Sequence, residues 1–205
     1  MSRHKLLSGC LATLPMLLCC MAGAAAPQNT TTLKHGDGKA DGKQSLGGSG
    51  EMITFSLPSA DAKVAGLRIH GARYGQAQAP RESFLIYFLS PDEKRILHTE
   101  LAPYSLFARG PEKWVEVKFE QPVELPREFW VVVDFRAHQT KGVYVSYDKS
   151  SKGQYSRTGL PGVASMETKF GGDWLIELLL ENPNPAASGT AKEKASPKKT
   201  GADAR

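Results

Sequence analysis

The densest group of side chains suited to ligand binding lies between Tyr144 and Arg157, where tyrosines alternate with charged residues around a serine- and glycine-rich stretch. Aromatic rings can stack on the apolar faces of sugar rings, and arginine or aspartate can fix hydroxyl groups through charge-assisted hydrogen bonds. Loops on a rigid scaffold often carry such groups. The segment predicts a binding site that contains Tyr147, Asp148, Tyr155 and Arg157. Half-buried tyrosines beside solvated charges would give the same pattern.

A second candidate for ligand binding is the segment Arg73-Tyr74-Gly75, which follows an apolar run that is typical of a strand. Glycine permits a sharp turn, and such a turn would expose both preceding side chains. We therefore predict that Arg73 and Tyr74 bind ligand, with an ordinary strand end as the alternative.

Two aspartates, Asp37 and Asp41, lie in a glycine-rich segment whose oxygen atoms could bind calcium. The segment does not fit an EF-hand, because Lys39 occupies the third position and Gly48 the twelfth, where a glutamate is required. The metal prediction is therefore an irregular calcium loop with Asp37 and Asp41 as ligands. A glycine-aspartate turn without metal is the alternative, and no other cofactor is predicted.

The sequence contains no recognisable catalytic motif. The 3 cysteines lie within the first twenty residues, the histidines of the remaining chain are scattered, and Gly47-Gly48-Ser49-Gly50-Glu51 lacks the last glycine of a nucleophile elbow. We predict that the protein is not an enzyme. A hydrolase that uses two carboxylates stays open, since glycosidases need only a positioned pair.

The elements that must position these residues are strands. Eight segments rich in β-branched and aromatic residues recur along the chain, separated by glycine, proline and aspartate residues. They are residues 52–57, 64–70, 84–89, 95–100, 114–119, 129–135, 143–147 and 174–180. This spacing predicts an all-β fold, a single antiparallel β-sandwich of about eight strands that is jelly-roll-like. The three tryptophans fall in these strands, so we expect them in the core.

Two of these strands, at residues 84–89 and 129–133, are apolar on both faces. They are predicted to be central strands that are covered on either side or packed under a long loop. Residues 103–109 predict one helical turn, because a proline starts the segment and a glycine follows it.

Charge and composition divide the chain into four parts. Residues 1–24 pass from basic to apolar to small side chains, which predicts a secretory signal peptide and a secreted or periplasmic protein. Residues 25–33 are interpreted as a linker, residues 34–182 as the sandwich domain and residues 183–205 as a disordered basic tail. After removal of the signal, no transmembrane helix is expected. Basic and acidic residues balance over residues 25–182, which disfavours nucleic acid as a partner.

Four segments resemble a β-sandwich module of exported bacterial proteins to which no function is assigned. They are DGKADGKQS (37–45), RIHGARYG (68–75), KGVYVSYD (141–148) and GLPG (159–162). The resemblance extends over nearly all of residues 34–182, and it implies a strand pattern similar to that of galactose-binding-like jelly rolls. In such proteins the module occurs alone or attached to larger envelope proteins.

The leading hypothesis is an exported noncatalytic binding or accessory module, with carbohydrate as the first ligand class. The alternatives are a structural or protein-interaction domain of the cell envelope, and a hydrolase without a motif. The partners expected are therefore a carbohydrate or an envelope protein, and the sequence predicts no oligomeric state.

Overall fold

Thirteen β-strands and one short 3₁₀ helix make up residues 30–181, the part of the chain that the computed structural model describes. The strands are β1 (Thr30–Leu33), β2 (Gly42–Gln44), β3 (Gly50–Ser56), β4 (Lys63–Gly75), β5 (Ser83–Leu89), β6 (Ile96–Pro103), β7 (Lys113–Glu124), β8 (Glu128–Asp134), β9 (Lys141–Asp148), β10 (Ser156–Gly159), β11 (Met166–Glu167), β12 (Asp173–Trp174) and β13 (Ile176–Glu181). The 3₁₀ helix is Tyr104–Leu106, within the predicted helical turn.

The strands form two antiparallel sheets that pack face to face, which confirms the predicted sandwich. One sheet has seven strands in the order β1-β13-β4-β9-β12, with β2 paired to β9 and β7 paired to β4. The other has six strands in the order β11-β10-β3-β8-β5-β6. Strand β7 is an edge strand, since it pairs with β4 and with no second strand among residues 30–181.

Alternation of side chains along the strands explains how the two sheets form one core. On β4, Leu67 and Ile69 are buried against the opposite sheet, whereas Arg68 and His70 between them lie on the outer face. Successive residues of a strand point to opposite faces, so the buried set comes from every second position. The core contains members of both sheets: Ile53, Phe55, Leu67, Ile69, Phe84, Ile86, Phe88, Val117, Phe129, Val131, Val133, Val143, Val145 and Ile176.

The six-stranded sheet is also apolar on its outer face. Met52, Leu89, Trp130 and Val132 form a second buried cluster there, and Leu160 packs on it from the segment that follows β10. The strands at residues 84–89 and 129–133 are thus apolar on both faces because a loop covers the outer one, as predicted.

One boundary prediction requires correction. Residues 25–33 were interpreted as a linker, but Thr30–Leu33 pair with β13 from Glu181 to Leu178. Threonine favours extended backbone, and the exposed edge of β13 supplies hydrogen-bonding partners for it. The predicted signal peptide at 1–24, the first residues of the predicted linker and the predicted tail at 183–205 lie outside the described residues. Between residues 30 and 181, no helix is both long and apolar enough to cross a membrane.

Candidate functional site

The predicted site residue Asp148 is a buried structural group at the end of β9. Its Oδ2 accepts hydrogen bonds from the backbone N–H of Asp37 at 2.8 Å and of Gly38 at 2.9 Å, and its Oδ1 accepts one from Ser150 N–H at 2.7 Å. Burial alone would raise the pKa of Asp148, but the hydrogen bonds from Ser150, Gly38 and Asp37 outweigh it and lower the pKa. The carboxylate therefore holds the 36–38 turn against β9.

The two aspartates predicted to bind calcium also accept hydrogen bonds from backbone N–H groups. Asp37 Oδ1 accepts the Lys39 N–H at 2.9 Å, and Asp41 Oδ2 accepts the Lys149 N–H at 2.7 Å. Within residues 30–181, no three His, Cys, Asp or Glu side chains gather as metal ligands. The structure thus brings Asp37, Asp41 and Asp148 to one end of the sandwich, where their carboxylates accept hydrogen bonds from backbone N–H groups. Calcium binding stays a prediction.

Tyr147 and Tyr155, both predicted to display their rings, are half-buried and packed. Tyr147 stacks on Phe170 with ring centroids 4.1 Å apart. Tyr155 stacks on His35 at 3.7 Å, and the Nε2 of His35 lies 2.8 Å from the Thr54 carbonyl oxygen. Each ring therefore has a face that packs against another ring of the protein.

The two predicted arginines lie on different sheets. Arg73 donates to the carbonyl oxygens of Phe107 at 3.1 Å, Gln76 at 2.6 Å and Ala77 at 2.6 Å, so its guanidinium ties two loops together. Arg157 lies on the six-stranded sheet, where it donates to Glu93 Oε1 at 2.6 Å. The predicted binding residues therefore do not converge on one site.

Tyr74, another predicted site residue, is half-buried on the outer face of the seven-stranded sheet. Its ring centroid is 4.7 Å from that of Tyr144, whose side chain is 38% exposed. The Tyr74 hydroxyl donates to the His138 carbonyl oxygen at 2.9 Å. The ring lies across Gly142, where any side chain would collide with it. Tyr74 and Tyr144 thus form a fixed aromatic pair.

Trp114 lies on the same outer face, on the other side of β4. It was expected in the core, but it is half-buried and occupies an outward position of β7 opposite His70. The Arg68 guanidinium carbon lies 4.9 Å from the Trp114 ring centroid, and the His70 ring meets the indole at 64° with centroids 5.2 Å apart. The expectation was wrong for Trp114 because its neighbour Val115 takes the inward position; Trp130 and Trp174 are buried as expected.

Polar groups connect the aromatic residues across this face. The Nδ1 of His70 and the Oγ of Ser146 lie 2.8 Å apart in a hydrogen bond. Lys43 forms an ion pair with Glu112, and its Nζ lies 5.4 Å from the Tyr144 ring centroid. The hydrogen bond from Lys43 lowers the pKa of Glu112, and burial lowers the pKa of His70. At neutral pH the face therefore carries a fixed pattern of charged and neutral donors and acceptors.

A second ion-pair group lies beside Trp114. Arg68 Nη1 donates to Glu177 Oε2 at 3.3 Å, and Arg68 Nε lies 3.9 Å from Glu116 Oε1. Burial raises the pKa of Glu177 although the Arg68 charge opposes the shift. Because these contacts hold Arg68 over the indole, they also fix the orientation of Trp114.

A cavity of about 310 Å³ opens next to Trp114. Four consecutive residues of β7 line it together with β4 and the loop before β7: Gly71, Leu106, Ala108, Pro111, Lys113, Trp114, Val115 and Glu116. The cavity therefore lies at the start of β7, next to Gly71, which pairs with Lys113, and to the residues that precede the strand. Its volume is at the lower end of the range of roughly 300–1,000 Å³ for small-molecule sites.

We call Tyr74, Tyr144, Trp114 and this cavity the outer aromatic face. Tyr144 pairs with Ala72 and Trp114 with His70, so the two rings flank β4 on neighbouring strands. Two strand spacings separate β9 from β7, which puts the two backbones about 10 Å apart. The face thus presents aromatic contacts at two positions, with hydrogen-bonding groups between them.

Comparisons with known proteins assign no role to these residues. No protein-family model matches the chain, and no curated protein matches it. The solved structure of the cysteine protease and lectin-like domains of Cwp84, a surface layer associated protein of Clostridium difficile, matches at 10% identity with a TM-score of 0.44. The match covers 66% of this chain and 32% of that chain. At this level of similarity no residue role or activity transfers, and the galactose-binding-like jelly roll stays a prediction.

Proposed function

We propose that the protein is a noncatalytic carbohydrate-binding module and that the outer aromatic face is its glycan site. The observation that carries the proposal is the placement of Tyr144 and Trp114 on strands that flank β4, both on the outer face and both outside the core. Rings held on a rigid sheet lose little conformational entropy when a ligand packs against them.

Fixed polar groups support a sugar rather than an apolar ligand. Between the two rings lie the His70–Ser146 hydrogen bond and the Lys43–Glu112 ion pair, whose remaining donors and acceptors can reach sugar hydroxyl groups. Small-molecule sites typically combine an apolar wall with a few placed polar groups, and this face has both.

The state of two carboxyl groups on this face supports the noncatalytic part of the proposal. A glycosidase keeps one carboxyl group protonated as a general acid at a position open to substrate. The carboxyl of Glu112 has a lowered pKa, and Glu177, whose pKa is raised, is buried beneath Arg68. The predicted signal at residues 1–24 would place such a module outside the cytoplasm, where glycans of the envelope are available.

Glycan-array binding by the purified protein tests the proposal, followed by affinity measurement with the best binder. Trp114→Ala should weaken binding by about thirtyfold, the roughly 2 kcal/mol typical of an aromatic hot spot, and Tyr144→Ala should weaken it as well. Leu101→Ala is the matched control, because Leu101 is an apolar residue that is 64% exposed on the opposite sheet. Chromatography of the glycan after incubation should show no cleavage.

Two outcomes would contradict the proposal. One is an array on which no neutral or acidic glycan binds. The other is a Trp114→Ala variant that keeps its thermal midpoint and binds as tightly as the wild type. Release of shorter sugars during incubation would remove the noncatalytic part and favour the hydrolase hypothesis.

A further inference from the structure

The two charged residues that line the cavity beside Trp114 differ in whether they have an ion-pair partner. Lys113 and Glu116 are the charged residues among those that line it. Glu116 is held by cations on two sides, with Oε1 3.9 Å from Arg68 Nε and Oε2 4.0 Å from Lys118 Nζ. Lys113, by contrast, is exposed and forms no ion pair with any residue between 30 and 181.

The other carboxylates near the cavity are also occupied. Glu112, the neighbour of Lys113 in sequence, pairs with Lys43. Glu177 pairs with Arg68 at 3.3 Å. Each carboxylate of the outer aromatic face therefore has a cationic partner already, and the ammonium group of Lys113 is left to attract a negative charge from outside the protein.

We infer that the preferred ligand of this site is an acidic glycan, one that carries a carboxylate or sulfate group. The inference rests on the proposed function and names the ligand class for the same site. The sugar ring packs against Trp114, and the negative group lies in the cavity next to Lys113. Gly71 of β4 also lines this cavity.

The expected gain in affinity is moderate. An ion pair at an exposed site contributes up to about fivefold in affinity, and the partly enclosed cavity increases this because fewer waters screen the charges. We expect about a tenfold preference for the acidic glycan, which corresponds to about 1.4 kcal/mol. Salt should reduce the preference, since the Debye length shortens from about 10 Å at 0.1 M to about 3 Å at 1 M.

The experiment compares charged and neutral forms of the same sugars. The array carries glucuronate, galacturonate and sulfated oligosaccharides beside neutral glucose, galactose and N-acetylglucosamine oligosaccharides. For the best acidic binder, affinity is then measured against its methyl-esterified or desulfated form. We expect the acidic form to bind about tenfold more tightly at low salt.

Variants assign the preference to Lys113. The Lys113→Gln variant should bind the acidic form only as tightly as the wild type binds the neutralised form. Its affinity for the neutralised form should differ little from that of the wild type. Lys94→Gln is the matched control, because Lys94 is exposed on the loop between β5 and β6 of the six-stranded sheet and does not line the cavity. It should keep the full preference.

The outcomes separate this inference from the proposed function. Equal binding of acidic and neutral sugars, or a Lys113→Gln variant that keeps the preference, would overturn the acidic ligand class while the glycan site stands, provided that Trp114→Ala weakens binding of both forms. A blank array, or a folded Trp114→Ala variant that binds normally, would overturn both.

Discussion

Replacing Glu51 by glutamine should stabilise the protein relative to the wild type, and the difference in the free energy of unfolding should grow as the pH rises. Glu51 is 1% exposed on β3, opposite Val133 of β8, and its Oε2 has no hydrogen-bond partner within the described residues. Burial raises its pKa well above the ordinary value; hydrogen bonds from the backbone N–H groups of Glu51 and Leu46 oppose the shift, and the nearby Asp134 adds to it. The folded protein therefore holds Glu51 in its protonated, neutral form to a higher pH than the unfolded chain does.

The size of the effect follows from proton linkage. In the unfolded chain Glu51 loses its proton near its ordinary pKa of 4.5, whereas in the folded protein it keeps the proton up to the raised pKa. In this window the folded state binds one proton more, so the free energy of unfolding falls by about 1.4 kcal/mol per pH unit. The contribution is thus fully present below pH 4.5 and is lost as the pH rises through the folded pKa. Glutamine has nearly the same shape and does not titrate.

Urea denaturation of the wild type and of Glu51→Gln at half-unit steps from pH 4.5 to 8 measures this difference. The two should have similar stability at the lowest pH, and from about one pH unit higher the variant should gain on the wild type by about 1.4 kcal/mol per unit until the folded pKa is approached. Titration of all other groups cancels in the difference. Glu128→Gln, a change at an exposed position of β8, is the control and should show no pH-dependent gain. A Glu51→Gln difference that is constant with pH would refute the argument.

Two further predictions concern the core and the loop clamp. Val131→Asp should leave little folded protein in a urea titration, because Val131 is fully buried between neighbouring strands and an unpaired carboxylate there costs several kcal/mol, close to the whole stability of a domain; a well-folded variant would contradict the core assignment. Asp148→Ala should destabilise the fold by about 1–3 kcal/mol, because it removes a charged acceptor from the N–H groups of Asp37 and Gly38, and hydrogen exchange at Gly38 should accelerate. Unchanged exchange there would contradict the clamp.

The fold could be predicted largely from local alternation. Each of the eight predicted strands is present, and the eighth divides into β12 and β13 at Leu175. The strands that were not predicted, β1, β2, β10 and β11, have two to four residues and largely polar sequences. Such segments have too little apolar alternation to be recognised, and they become strands because longer neighbours offer them hydrogen-bonding edges.

The candidate site could be predicted only in part, because the density of aromatic and charged residues does not distinguish packing from display. Tyr155 appeared suited to binding, yet it stacks on His35, a residue far away in sequence. Asp148 appeared to be a ligand group, yet it accepts hydrogen bonds from residues that precede it by more than a hundred positions. The partners of these side chains are set by tertiary contacts, which no local pattern shows.

The signal for Trp114 was nevertheless present in the alternation of β7. Val115 and Val117 occupy the buried side, so the same period that places them in the core places Trp114 outward with Glu116. Alternation gives the face of each side chain, but it does not give the order of strands in a sheet. Trp114 and Tyr144 become one surface only because β7 and β9 both pair with β4. Residues of one site that come from separate strands should therefore act together. If the rings of Trp114 and Tyr144 contact the same glycan, the binding free energy lost by the double alanine variant should not exceed the sum of the losses of the two single variants.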